Sequence, residues 1–239
     1  MTNAPFQVRI VPVTPFQQNC SIIRAPSGKA AVVDAGGEAE KIILAAKAFN
    51  AEIEQIWLTH GHLDHAGGAM ELKRLTGAPI IGPEKEDKFW LDDIADHWAK
   101  YGHAGMGENC APDKWLEDGD VLDLDGIKFD VITTPGHTPG HVVIHNKDAN
   151  IAFVGDVLFA GSIGRTDFPR GDHPTLINSI TQKLWPLGDV QFVPGHGPVS
   201  TFARERQSNP FVADSVTGYA GAATTAADPM AQKLSKRWQ

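Results

Sequence analysis

Residues 55–68 read QIWLTHGHLDHAGG. An apolar run, Ile56 to Leu58, ends in a corner that carries His60, His62, Asp64 and His65 within six positions. A short β-branched and aromatic run bounded by Gly reads as a strand. Packing gives no reason for four metal-ligating side chains directly behind it. If the corner is extended, His60 and His62 turn toward one point, while Asp64 and His65 open the following helix and face a neighbouring point. The spacing suits two metals better than one.

The same pattern recurs along the chain. AAVVDAGG (30–37), FDVITTPGH (129–137), IAFVGD (151–156) and QFVPGH (191–196) each end in a Gly-, Asp- or His-containing corner. The last three deliver His137, Asp156 and His196 beside glycines, which let the backbone turn sharply and carry a side chain to a crevice floor. Taken singly, each could be a buried histidine or a helix-capping aspartate. Joined to the first cluster they make five imidazoles and two carboxylates, the complement that two borderline metals sharing a carboxylate and a water require.

Helix-like stretches alternate with the strands, at 39–49 and again at 64–75, where Met70, Leu72 and Leu75 lie among polar neighbours. This order predicts a layered α/β domain in which groups at the carboxyl ends of several strands meet in one crevice. Residues 84–118 differ, being rich in acid and aromatics, with Trp90, Ile94, His97, Trp98 and Tyr101 spaced as one helix face. Core packing is favoured over direct substrate contact for most of that stripe, and a long insertion of this kind could also form a lid. After Phe211 the composition turns to Ala, Thr and Gly and then to KLSKRW. The expected organisation is a domain over 1–212 followed by a tail or appended helix over 213–239.

Composition sets outer limits. The chain has 239 residues, 42% hydrophobic and 21% charged, which excludes disorder, collagen and coiled coil. A formal charge of -8 is the wrong sign for gripping phosphate backbones, so no nucleic-acid partner is expected. The longest apolar run, Ile42 to Ala46, is far short of the roughly 20 residues that span a bilayer, so no membrane partner is expected either. Arg9 and several Pro and Gln stand where a secretory signal needs an apolar core. Cys20 and Cys110 read as ordinary thiols of a reducing compartment. The expected location is the cytoplasm.

In order and spacing, HGHLDH, GHTPGH, GD and GHG resemble the metallo-β-lactamase superfamily, over about Val8 to Val212. Within it, TPFQQNC, GSIGRTDFPRGD, PGHGP and ERQSNPFV are similar to the compact glyoxalase-II-like hydrolases. The resemblance implies a four-layer αββα sandwich. It also implies one metal held by His60, His62 and His137, a second by Asp64, His65 and His196, and Asp156 bridging them. The implied cofactors are two divalent ions, zinc foremost, with iron or manganese also compatible with mixed imidazole and carboxylate donors.

The expected reaction is hydrolysis of a small-molecule thioester, S-lactoylglutathione to lactate and glutathione, by a metal-bridging hydroxide, with Asp64 and Asp156 as the catalytic carboxylates. Two dications against two carboxylates and a hydroxide leave a local charge of about +1, which draws an anionic substrate to an acidic protein. Arg165, nine residues after Asp156, stands where glyoxalase II proteins place a basic residue against the substrate carboxylate; a surface pair with Asp167 or Asp172 is the competing reading. His141 and His173 either orient a ligand or complete packing. His97, His103 and His145 have no motif context. Nothing after ERQSNPFV matches the helical domain with which full-length glyoxalase II proteins hold glutathione. Two other functions stay open: a mononuclear iron persulfide dioxygenase built on His60, His137 and Asp156, and a metal-binding module without catalysis.

Overall fold

The computed structural model describes residues 5–220. The first sheet runs in the spatial order of β1 (Gln7–Val13), β2 (Gln18–Arg24), β3 (Lys29–Val33), β4 (Glu52–Trp57) and β5 (Ile80–Ile81). β1 to β3 pair antiparallel, whereas β3, β4 and β5 are parallel, joined through α1 (Ala39–Ala48), α2 (Leu63–Ala66) and α3 (Ala69–Thr76). Then come α4 (Lys88–Leu91) and α5 (Ile94–Lys100), ahead of a second sheet. That sheet comprises β6 (Val121–Leu124), β7 (Ile127–Thr133), β8 (Val142–Asn146) and β9 (Ile151–Gly155); beyond the hairpin β10 (Leu158–Phe159) and β11 (Ser162–Ile163), it is completed by β12 (Gln191–Pro194) and β13 (Ser200–Thr201). α6 (His173–Ser179) precedes β12, and α7 (Phe202–Ser208) and α8 (Asp214–Thr217) follow β13.

Alternation along the strands explains the layering. In β3, Ala30 and Val32 face the core beneath α1, α3 and α5, while Ala31 and Val33 face the core between the sheets. In β9, Ile151 and Phe153 face the inter-sheet core, and Ala152 and Val154 pack toward Leu176, Ile180 and Phe202. Strands buried on both faces read as near-continuous apolar runs, which is why these segments stood out in the sequence. Three apolar layers therefore separate helix, sheet, sheet and helix, and the fold is the four-layer αββα sandwich.

Two helical expectations are corrected. The stretch 64–75 is two helices rather than one, because Gly67 and Gly68 lie directly against Gly36, Gly37 and the Ala35 carbonyl. The 90–101 stripe is likewise divided between α4 and α5, and its residues separate accordingly. Ile94 and Trp98 are buried in the first core, whereas Trp90, His97 and Tyr101 line the crevice. At the carboxyl end Val212 and Ala213 are buried, and Arg206 forms a bidentate pair with Asp214 at 2.8 and 3.0 Å, so the chain packs on the domain slightly beyond position 212. Of the segment 213–239, residues 221–239 lie outside the described residues.

Candidate metal centre

The crevice opens where the carboxyl ends of β4, β9 and β12 meet the β7–β8 connection, and it encloses about 600 Å³. His60 Nε2, His62 Nδ1 and His137 Nε2 converge there, with His62 Nδ1 at 3.1 Å from the first and 2.9 Å from the last. His60 and His62 come from the end of β4 in the first sheet, and His137 from the end of β7 in the second. Beside them Asp64, His65 and His196 form another cluster, with His196 Nε2 3.1 Å from Asp64 Oδ2 and 3.4 Å from His65 Nε2. Asp156, at the end of β9, lies between the two groups. Its Oδ1 is 3.2 Å from His65 Nε2, and its Oδ2 is 3.6 Å from His196 Nε2 and 3.7 Å from His137 Nε2. All seven residues expected to be ligands thus meet in one place.

The outward ring nitrogens are tied to oxygen, which decides where the protons sit. His137 Nδ1–H donates to the Arg165 carbonyl at 2.7 Å and His196 Nδ1–H to the Phe16 carbonyl at 3.2 Å. His65 Nδ1–H donates to Asp34 Oδ2 at 2.9 Å. Thr59 Oγ1–H also donates to Asp34 Oδ2, at 2.7 Å, and therefore accepts from His60 Nδ1–H at 3.1 Å. When neutral, four of the five imidazoles consequently aim a lone pair inward, the state in which histidine binds a metal. Asp34 is itself held by the Thr59 N–H and has φ 56, a left-handed conformation uncommon for any residue but glycine.

His141 belongs to the supporting structure. Its Nε2 accepts from the Asp156 N–H at 3.1 Å, its Nδ1–H faces Thr134 Oγ1, and its ring stacks on His60 at 4.8 Å. It fixes the backbone from which Asp156 extends. Close approach here depends on two glycines. At Gly155, with φ 48, a Cβ would meet Thr59 Oγ1 and His141 Nε2, and at Gly195 one would overlap Asp156 Oδ1.

The charge balance shows what the centre lacks. Burial pushes His60, His62 and His141 well below the usual imidazole range. Burial acts on His65 in the same sense, but Asp156, Asp64 and Asp34 outweigh it and hold His65 well above that range. His196 is also raised, its burial outweighed by Asp64 and Asp156. Burial alone would raise Asp156, yet His65, His196 and His137 bring it below the ordinary carboxylate range. Without positive charge between them the groups do not satisfy one another. Asp156 Oδ1 is buried with no hydrogen-bond partner, and one proton cannot satisfy the contacts of His62 Nδ1 with both His60 and His137. Mixed imidazole and carboxylate lone pairs directed at two adjacent points fit two divalent cations.

Arg165 lines the crevice as expected, and the competing reading holds too. Its guanidinium, 56% exposed, forms a bidentate pair with Asp167 at 2.7 Å and stacks on Phe168 at 4.0 Å. Phe16, Trp90, Tyr101, Phe159 and Phe168 supply an aromatic wall, with His97 beside them. Both thiols are buried and raised by that burial, Cys110 to about 12, so neither is a nucleophile. The sequence reading missed Asp34 and the crevice-lining role of His97. Asp34 ends the run VVDAGG, a strand-end acid beside two glycines like Asp156, and that likeness was the available signal.

Comparison with known proteins agrees with this geometry. The family model described as the metallo-beta-lactamase superfamily matches residues 13–196. Hydroxyacylglutathione hydrolase GloC of Haemophilus influenzae is 45% identical over 207 residues, 86% of this chain and 97% of its own length. Among solved structures, BLEG-1 B3 metallo-beta-lactamase superposes with a TM-score of 0.80 at 32% identity, covering 86% of this chain and 99% of its own. TTHA1623, solved in a di-iron-bound form, gives 0.77 at 31% identity, covering 85% and 99%.

Proposed function

The chain belongs to the metallo-β-lactamase superfamily, and on that footing we propose that it hydrolyses a thioester, S-lactoylglutathione, in the crevice described above. The reading is carried by the convergence of seven inward-facing donors on two adjacent points. His60, His62 and His137 would hold one divalent ion, Asp64, His65 and His196 the other, and Asp156 would serve both. The proposed ion is zinc; iron has the support of the di-iron-bound relative. When bound, such ions polarise a carbonyl and lower the pKa of water from 15.7 to about 7.

The chain's own groups do the rest. Asp64 and Asp156 would offset most of the charge of two bound dications, which would leave the crevice mildly electropositive inside a protein of charge -8. The aromatic wall excludes water and packs the acyl and carrier groups. Arg165 would receive a substrate carboxylate in the place Asp167 occupies, a bidentate geometry that suits guanidinium. A thiol, with a pKa near 8.5, leaves without a general acid, and no further carboxyl group lines the crevice among the described residues. A cytoplasmic location and a small-molecule partner complete the reading. No helix among the described residues is long and apolar enough to cross a membrane.

The test is a substrate panel with oxygen monitored: S-lactoylglutathione, a neutral thioester, glutathione persulfide and a β-lactam. Hydrolysis of S-lactoylglutathione without oxygen uptake is the expected result. Oxygen uptake with persulfide would replace this reading by a dioxygenase, and preferential opening of the lactam by a lactamase. Stoichiometric metal with no turnover on any of the four would leave a binding module.

A further inference from the structure

Asp87 lies outside both clusters and does not line the crevice, yet its fully buried carboxylate touches both corners that carry the first cluster. Oδ2 accepts from the Gly61 N–H at 2.8 Å and from Thr138 Oγ1–H at 2.7 Å, and Oδ1 accepts from the Gly140 N–H at 2.6 Å. Gly61 stands between His60 and His62, and Thr138 directly follows His137. The first corner ends a strand of one sheet and the second ends a strand of the other. The spacing of the three histidines therefore depends on what holds the two sheets together at this edge. One backbone bond joins the two corners directly, Val142 N–H to the Thr59 carbonyl at 2.8 Å. The Asp87 carboxylate adds a link that touches both corners.

The surrounding packing is built for this contact. A Cβ at Gly61 would stand 2.8 Å from Trp90 Cβ and 2.9 Å from the Asp87 carbonyl, and one at Gly140 would stand 2.5 Å from the Asp87 nitrogen. The Glu84 N–H also donates to the Gly140 carbonyl at 3.0 Å. The segment thus reaches both corners only because neither bears a side chain there. Beyond Asp87 the same segment supplies Trp90, whose ring lies 4.5 Å from that of His62.

We propose that Asp87 is a positioning residue for the first metal site: its carboxylate clamps the two corners so that His60, His62 and His137 stand at the spacing one divalent ion requires. The proposal rests on the metal reading given above. The second cluster has its own brace, Asp34 on His65, so the effect of losing Asp87 is confined mainly to one ion. An amide at position 87 has the shape of the acid but turns an N–H₂ group toward donors, leaving at least one contact unmade.

The experiment uses the full chain, stripped by chelation and titrated with cobalt(II) against a chromophoric chelator, with the cobalt visible spectrum followed and the fold checked by circular dichroism. Wild type is expected to bind two ions. D87N should weaken one of them by about 10- to 100-fold, the range typical for groups that orient metal ligands, and leave the other nearly unchanged. T138V, which removes one of the three donors, should weaken the same ion by a smaller factor, and T138S should restore wild-type binding. Should D87N not fold, the Thr138 pair decides alone. The proposal is overturned if folded D87N binds both ions as wild type does, if it loses both equally, or if T138V and T138S do not differ. A wild type that takes up no ion defeats the metal reading itself, a separate and recognisable failure.

Discussion

Asp156 meets two demands, because one oxygen faces His65 while the other stands between His137 and His196. Replacing it with alanine should lower thioester turnover by about 100-fold or more and reduce the metal content of the purified chain, without unfolding it. Wild-type kinetics in a variant that retains its metal would contradict the shared role. Burial keeps His60, His62, His137, His141 and His145 below the usual imidazole value of 6.5. In metal-free protein between pH 6.5 and 5, the unfolded chain takes up protons that these folded histidines refuse, so stability falls as pH falls, by up to about 1.36 kcal/mol per proton and pH unit. Asp87, raised by burial to about 6, acts in the opposite sense below that pH, since the folded state protonates first. His65 and His196 are raised and oppose the trend, because the folded chain already holds the protons that the unfolded chain takes up only near 6.5, but they are two against five. Urea midpoints of chelated protein should therefore be lower at pH 5 than at pH 7; equal midpoints would mean the imidazoles are not held neutral. The seven proposed ligands were legible in the sequence because they cluster behind apolar runs and beside glycine. Asp34 offered only its likeness to Asp156 as a strand-end acid beside glycine, and Asp87 offered no signal, because a carboxylate one contact removed from a candidate ligand has no fixed spacing to it.

At the scale of elements, strands were the legible part. A strand buried on both faces is a block of Val, Ile, Ala and Phe, and β3 and β9 are such blocks. Helices were harder to read, because their breaks are set by what the backbone approaches. Gly67 and Gly68 interrupt an otherwise continuous pattern where they abut the Ala35–Gly37 turn. The 90–101 stripe has helical spacing throughout, but its division at Asp92 and Asp93 sends Ile94 and Trp98 to the core and Trp90, His97 and Tyr101 to the crevice. Glycine contacts supply the prediction at this scale. A Cβ at Gly195 would overlap Asp156 Oδ1 and stand 2.5 Å from His65 Cε1. Gly195→Ala should cut metal retention and turnover by at least about tenfold while the far-ultraviolet dichroism stays unchanged. Full activity in that variant would mean that Asp156 and His65 need not approach as closely as they do here.

Over the whole molecule, two sheets from opposite halves of the chain bring their strand ends to one edge, so a protein of charge -8 gathers five imidazoles in one crevice. Alternating order and apolar periodicity were enough to anticipate layers; which strand ends would meet was legible only through the family resemblance, since nothing local encodes the stacking of one sheet on another. The mouth of the crevice is where binding is tuned. Arg165→Ala should raise KM for a carboxylate-bearing thioester by about tenfold, as expected for loss of a charged hydrogen bond, and leave KM for a neutral thioester unchanged. An unchanged KM for the carboxylate-bearing thioester would reduce Arg165 to the partner of Asp167. The account stands or falls on whether the two donor clusters hold ions, and the most direct measurement is elemental analysis of the purified chain before and after chelation, with S-lactoylglutathione hydrolysis followed in the same samples. The predicted result is two divalent ions per chain, activity lost with them and regained when they are returned; a folded chain that binds no ion, or that hydrolyses the thioester equally well without one, would contradict it.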